Sequence, residues 1–322
     1  MSERHRPYLL ALAAALLGAY IMAATFLHTP PGLKGADVDQ FWYGARAILH
    51  GQDMYALDQV ERLFPTRIYY PLTVAVVALP LGLLPLEWAR LLFVTLSAGV
   101  FGYAIGKHRP HLWPALLGMP FIVSMRSAQW APLLTAAMLL PSLGWLAAVK
   151  PNLGIVMLAA VRTRRAALIL IGGGFLVVAL SLAISPRWPL EWRDALRVST
   201  HFRPLLVRPA GFVMLLALLR WRDPDARLLL ALALVPISGL FYDLLPACLV
   251  CQNRKQAALL AVASHLTWMG SWGIPRVAPD LAQQMWLNGT LMLWFGLLPA
   301  LAIVLARSFP VSRLTFRKAR AV

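Results

Sequence analysis

The sequence predicts an all-α polytopic membrane protein, on three observations. Hydrophobic residues make up 60% of the 322, charged residues only 13%, and the mean hydropathy is +0.67, outside the range of a soluble domain. Apolar runs recur along nearly the whole chain between short polar breaks, and a backbone in lipid must bond to itself, which selects helices. The period-2 alternation of a barrel is missing. The net charge of +17 gathers at the ends of the apolar runs. That placement fits topology signals and contact with anionic lipid better than a nucleic-acid surface.

Taken in order, residues 8–27 form a first span read as a retained signal-anchor, because no small-residue cleavage site follows it. The basic start "MSERHRP" and the basic tail 308–322 both favour the cytoplasm, so an even number of crossings is expected. Further spans are expected near 69–85, 87–106, 111–125, 129–143, 144–161, 166–184, 206–220, 256–272 and 286–307. Pro236 and Gly239 split residues 228–250 into a broken or re-entrant hairpin. The total is ten to twelve spans or half-spans in a single domain, 1–322. The polar stretches 161–165, 220–227 and 251–256 read as cytoplasmic, whereas 106–111, "GKHRPH", falls outside despite its charge. The loops 28–68, 185–205 and 273–285 map to the extracytoplasmic side. Within the first, Phe41, Ala45, Ile48 and Leu49 make an apolar stripe beside Gln40, Arg46 and His50. This is either a short interfacial helix or a connector packed on the bundle.

The polar punctuation carries a recurring set of motifs. Asp37 stands four positions before Phe41 and Trp42, with Gly51 and Tyr55 beyond. Tyr70 and Pro71 follow, then Leu72; the run Pro80, Leu81, Leu83, Leu84, Pro85; the triplet Ala128, Gln129, Trp130; Lys150, Pro151, Leu153, Gly154; and Tyr242, Asp243, Leu244. In order and spacing these resemble the bacterial polyprenol-phosphate-mannose-dependent mannosyltransferases and their relatives, integral-membrane enzymes of the GT-C type. The family pattern has a second Pro where this chain has Leu72, and Gly-Gln-Asn where it has Ala128, Gln129 and Trp130. The resemblance covers residues 37–244. It implies an inverting glycosyltransferase of a bacterial cytoplasmic (inner) membrane, with its cavity facing the periplasm or cell exterior. The implied donor is a hexose, mannose in the family, on a polyprenyl phosphate, and the acceptor is a hydroxyl of a lipid or glycan.

Such a transfer needs a carboxylate to take the acceptor's proton. The resemblance points to Asp37 for this role, with Asp39 the nearby rival. Lys150 lies between apolar segments, where a charge marks a cavity or pathway unless it snorkels to headgroups. The expected contacts to donor phosphate or substrate are Lys150, Arg126, Arg193, Arg203, Gln129, Tyr70, Tyr242 and Asp243. Asp243, in an apolar segment, must be paired or hydrated, and orienting Lys150 is one such use. Arg187, Arg193, Arg197, His201, Arg203 and Arg208, interleaved with Trp188 and Trp192, read either as a lipid-phosphate site or as a membrane collar. Glu87 is expected to pair with Arg90 on one helix. No HExxH, EF-hand or Walker sequence occurs, and Cys248 and Cys251 have no zinc-type partner pair, so neither metal nor cofactor is expected beyond the lipid-linked sugar. A transporter or flippase for an anionic or lipid-linked substrate is the alternative, and a noncatalytic membrane partner the third reading.

Overall fold

The computed structural model describes residues 3–29, 36–56, 68–197, 202–237, 239–278 and 280–307. His201 and the tail 308–322 lie outside them. Helix α1 (Arg6–His28) is followed by α2 (Asp37–Leu49), the short α3 (Leu72–Val77) and α4 (Leu79–Gly82), and the long α5 (Leu86–His108). A 3-10 segment (Pro110–Leu117) precedes α6 (Met119–Arg126) and α7 (Ala131–Leu139). A second (Pro141–Val149) precedes α8 (Pro151–Ala159) and the long α9 (Arg164–Ile184). Next come α10 (Trp188–Arg197), strand β1 (Arg203–Pro204), 3-10 turns ending at Arg220, α11 (Pro224–Leu234) and strand β2 (Pro236–Ile237). A 3-10 segment (Phe241–Val250), α12 (Arg254–Ser271), α13 (Ile274–Val277), α14 (Leu281–Met292), a π turn (Leu293–Leu297) and α15 (Leu298–Leu305) follow. The fold is all-α apart from the two-residue antiparallel pairing of β1 with β2.

Proline sets this rhythm of long and short pieces. It opens α6, α7, α8 and α11 and both early 3-10 segments within their first two positions, where its missing N–H costs nothing, and so it ends whatever helix came before. Among the described residues four helical stretches are long and apolar enough to cross a membrane: Arg6–His28, Leu86–His108, Arg164–Ile184 and Leu281–Leu305. α1 and α5 pack antiparallel, with Gly18 beside Ala98 and Gly106 beside Pro7. Between them, a Cβ on Gly102 would sit 2.4 Å from the Leu10 carbonyl oxygen, so only glycine allows this approach.

The short pieces share two levels. α8 begins at Lys150, which bonds Asp243, and ends where Arg227 donates to the Ala159 carbonyl at 2.8 Å. The 3-10 segment Phe241–Val250 likewise has Asp243 at the first level. At its other end Arg109 donates to the Leu249 carbonyl. α11 starts in an ionic clasp, where Arg307 meets Asp223 at 2.7 Å and Asp225 at 2.9 Å and Arg162 also pairs with Asp225. It finishes beside Asn152, which donates to the Pro236 carbonyl at 3.2 Å. A nine-residue α-helix rises about 13 Å, less than half of the roughly 30 Å of hydrocarbon in a bilayer. The first level is therefore a shelf inside the bundle, and the clasp marks one end.

This arrangement corrects the expected map at two linked points. Residues 69–85 hold only the six-residue α3 and four-residue α4, each too short to cross, because Pro71 and Pro80 restart the chain. Residues 106–111 lie at the clasp end, not opposite it: Gly106 abuts Pro7, and the His111 ring bonds the Cys251 carbonyl at 2.9 Å. Removing the crossing at 69–85 puts "GKHRPH" on the same end as 161–165, 220–227 and 251–256. Of the two readings of α2, the packed one fits: Val38, Phe41, Tyr43, Ala45 and Ala47 are buried, while at the end of the stripe Ile48 is partly buried and Leu49 is 46% exposed.

Candidate active site

Helix α2 is fixed at four points before any chemistry is considered. The Asp37 N–H donates to the Ser127 carbonyl at 2.9 Å, Tyr69 N–H to Gln40 Oε1 at 3.3 Å, and Trp42 Nε1 to the Leu84 carbonyl at 2.9 Å. Asp39 accepts from Ala36 N–H at 3.0 Å, and both its oxygens meet Arg90, at 2.8 and 2.6 Å. Asp39 and Arg90 are both buried, and the guanidinium lies 4.2 Å above the Phe26 ring of α1. The expected Glu87–Arg90 pair is replaced by this bidentate one, 51 residues apart in sequence. Below the helix, Phe41 packs against Tyr70, Phe93 and Trp130 with ring centroids 5.8, 5.0 and 5.3 Å away. Trp130, where the family pattern has Asn, is thus a core ring.

Above this aromatic floor, six residues from five places in the chain meet. Asp37 Oδ2 accepts from Gln129 Nε2 and lies 3.3 Å from Tyr70 Oη. Tyr70 Oη is also 3.1 Å from Gln129 Oε1, which accepts from Lys150 Nζ at 3.2 Å. Lys150 Nζ donates to Asp243 Oδ1 at 2.6 Å and lies 4.4 Å over the Tyr242 ring. Tyr70, Gln129, Tyr242 and Asp243 are buried; Asp37 and Lys150 are partly accessible.

Local sequence explains each placement. Pro151 opens α8, so Lys150 stands before the helix in extended backbone and turns its side chain to the cluster. Gly154 lets α8 press on the preceding 3-10 segment, since a Cβ there would fall 2.5 Å from the Ala147 carbonyl oxygen. Gln129 follows α6 through Ala128, which is left-handed at φ 49°, and its N–H returns to the Ser124 carbonyl at 2.8 Å. That turn is the place of the glycine in Gly-Gln-Asn, and alanine occupies it against its preference. Leu72 is buried at the first position of α3, where proline is favoured but not required.

The electrostatics are unbalanced. The cluster holds two carboxylates, Asp37 and Asp243, and one ammonium, which pairs with Asp243 and is linked to Asp37 through Gln129, and among the described residues nothing donates to Asp37 Oδ1. Asp37 stands outside the apolar spans, and burial raises its pKa to about 6; Lys150 and the Tyr70 hydrogen bond oppose the rise, while Asp243 and Asp39 add to it. A partly accessible carboxylate that titrates near 6 and has one oxygen without a donor has the properties of a general base.

Asp37, Tyr70, Gln129, Lys150, Tyr242 and Asp243 therefore come together, and Lys150 is paired, not snorkelling. Asp39 lies two residues away but is occupied by Arg90. Arg126 is exposed at the end of α6, and Arg193 is exposed and pairs with Asp194 at 3.1 Å. Arg203 is exposed on β1, 5.7 Å from the Trp286 ring; Arg208 is buried 4.3 Å from the same ring and donates to the Met285 carbonyl at 3.3 Å. The arginines thus stand outside the cluster. The sequence does not reveal the partners that Arg90, the Ser127 carbonyl and Trp192, whose Nε1 donates to the Tyr69 carbonyl at 2.9 Å, find here, for no local pattern announces such distant contacts. Comparison of the chain with protein-family models, curated proteins and solved structures found no match.

Proposed function

We propose that this protein is an inverting glycosyltransferase that moves a hexose, mannose by resemblance, from a polyprenyl-phosphate donor to a hydroxyl of a lipid or glycan acceptor. The bundle, with its full-length helices and shelf of half-length ones, is read as a GT-C-type arrangement of spans and half-spans in a bacterial cytoplasmic membrane, its cavity on the side away from the clasp. One observation carries this reading: the side chains that carry the resemblance, spread from Asp37 to Asp243, meet in one hydrogen-bonded cluster around a carboxylate with a free oxygen.

Asp37 Oδ1 takes the proton of the acceptor hydroxyl as its oxygen attacks the anomeric carbon. The bond from that carbon to the phosphate oxygen breaks, its electron pair leaves with the phosphate, and the configuration inverts. Phosphate needs no proton to leave, so one base suffices. Lys150 holds Asp243 and Gln129 and limits the negative charge beside Asp37. Its ammonium is already engaged by the Asp243 carboxylate and the Gln129 carbonyl oxygen, so the donor phosphate is assigned to the arginines of residues 187–208, whose guanidinium forks suit phosphate oxygens. The buried Lys150–Asp243 pair at broken helices also fits a second reading, a proton or anion pathway in a transporter.

The test is transfer from radiolabelled polyprenyl-phosphate-mannose by purified protein in nanodiscs with a native lipid extract. A new labelled glycolipid, lost by a factor of about 10² to 10⁴ in folded Asp37→Asn, is expected. Absence of transfer across a panel of lipid-linked sugars would move the assignment to transport.

A further inference from the structure

Gln129 is fully buried, and its amide touches three groups of the cluster. Its orientation is forced. Lys150 Nζ has only hydrogens to offer, so the atom facing it must be the carbonyl oxygen Oε1, and the amide nitrogen must then face Asp37. The Tyr70 hydroxyl has one proton and two acceptors in reach, Asp37 Oδ2 at 3.3 Å and Gln129 Oε1 at 3.1 Å. With Lys150 supplying Gln129 Oε1, the tyrosine proton is released to Asp37. Both donors then fall on Oδ2, and Oδ1 is left bare.

We infer that Gln129 is a positioning residue: its amide transmits the Lys150–Asp243 pair to Asp37, fixing which carboxylate oxygen is the base and lowering that carboxylate's affinity for a proton. The groups facing Asp37 are Tyr70 from before α3, Gln129 from the α6–α7 turn, Lys150 from before α8, and Asp243 with Tyr242 from the 3-10 segment. On its own helix it has Asp39, held by Arg90. Of the neutral donors to Asp37, only the amide also touches the lysine. The backbone supports the same role: Ala128 holds a left-handed conformation, disfavoured for a non-glycine residue, that delivers Gln129. The inference rests on Asp37 being the base, but its test does not.

The test is the pH dependence of Asp37 modification by a hydrophobic carbodiimide, which reacts with protonated carboxyls, read by peptide mass spectrometry on the whole protein in nanodiscs. Exposed Asp53 in the same digest is the internal reference. Gln129→Met keeps the volume and removes all three amide contacts; it is expected to raise the Asp37 midpoint by about one pH unit, a tenfold change in the protonation ratio, with Asp53 unmoved. Gln129→Glu, which keeps the acceptor and loses the donor, is expected to raise it further. The double variant Lys150→Met, Asp243→Asn removes the ion pair without changing the net charge and serves if Gln129→Met does not fold; its Asp37 midpoint is expected to rise as well. Unchanged midpoints in folded variants would overturn the inference. If the midpoints move while Asp37→Asn still transfers sugar, the amide link stands and the assignment of Asp37 as the base falls. If Asp37→Asn is inactive and the midpoints stay fixed, the reverse holds.

Discussion

Two clusters of acid and base sit at opposite ends of the same short helices, and they differ in stoichiometry. In the clasp, Asp225 gives one oxygen to Arg162 and the other to Arg307, which also holds Asp223. Every carboxylate there meets a guanidinium, and the elements joined are far apart in the chain. In the other cluster two carboxylates stand with one lysine, which pairs with Asp243 and is linked to Asp37 through Gln129, and one oxygen of Asp37 has no donor among the described residues. Balanced pairs fasten helices; an unbalanced one keeps chemical capacity in reserve. Asp39 follows the rule of the clasp, since Arg90 covers both its oxygens, which is why two acids two residues apart are assigned different work.

The comparison can be broken at either end. The largest effect is expected in transfer activity. Asp37→Asn removes the base and is predicted to lower the rate by about 10² to 10⁴, whereas Asp225→Asn should leave the pH profile of whatever activity remains unchanged. Stability should show the opposite order. Asp225→Ala removes the carboxylate that links Arg162 to Arg307, leaving Arg307 with Asp223, and is predicted to cost about 2 kcal/mol, measurable as a lowered unfolding midpoint in detergent, while Asp37→Asn should hold the wild-type midpoint or exceed it.

The pH dependence of stability sharpens this contrast. Asp37 has its folded pKa raised, to about 6 from 3.8. The folded state then binds the proton more tightly than the unfolded one, so this group's contribution is fully present below pH 3.8 and is lost as pH rises through about 6. Unfolding of wild type and Asp37→Asn followed between those limits should show the wild type losing stability relative to the variant. The smallest effect is local: Ala128→Gly relieves the left-handed strain before Gln129 and is predicted to stabilise by about 0.5 kcal/mol, seen as a small rise in unfolding midpoint.

Much of the bundle was legible because hydropathy and proline act locally. The spans 8–27, 87–106 and 166–184 coincide with long helices, and Pro236 does break residues 228–250. The run 69–85 deceived because composition cannot say whether apolar residues face lipid or protein. Tyr70, Leu72, Val74 and Ala75 are buried against the bundle, on helices too short to cross. The charge of "GKHRPH" was the clue to that error. The convergence of Asp37, Lys150 and Asp243 was legible only through the family resemblance. Gln129 was legible as a motif letter but not as the hub, because its two bonding faces depend on Lys150 and Tyr70 arriving from distant turns. Arg90 was assigned to its nearest acid by helix spacing, and the acid it holds came from another helix.

The most direct measurement is the pH profile of sugar transfer, kcat/KM against pH, for wild type and Asp37→Glu in nanodiscs. The account predicts an acid limb near pH 6 in wild type that tracks the ionisation of Asp37 and shifts in the glutamate variant. A profile flat through that range, or a limb identical in the two proteins, would contradict Asp37 as the base.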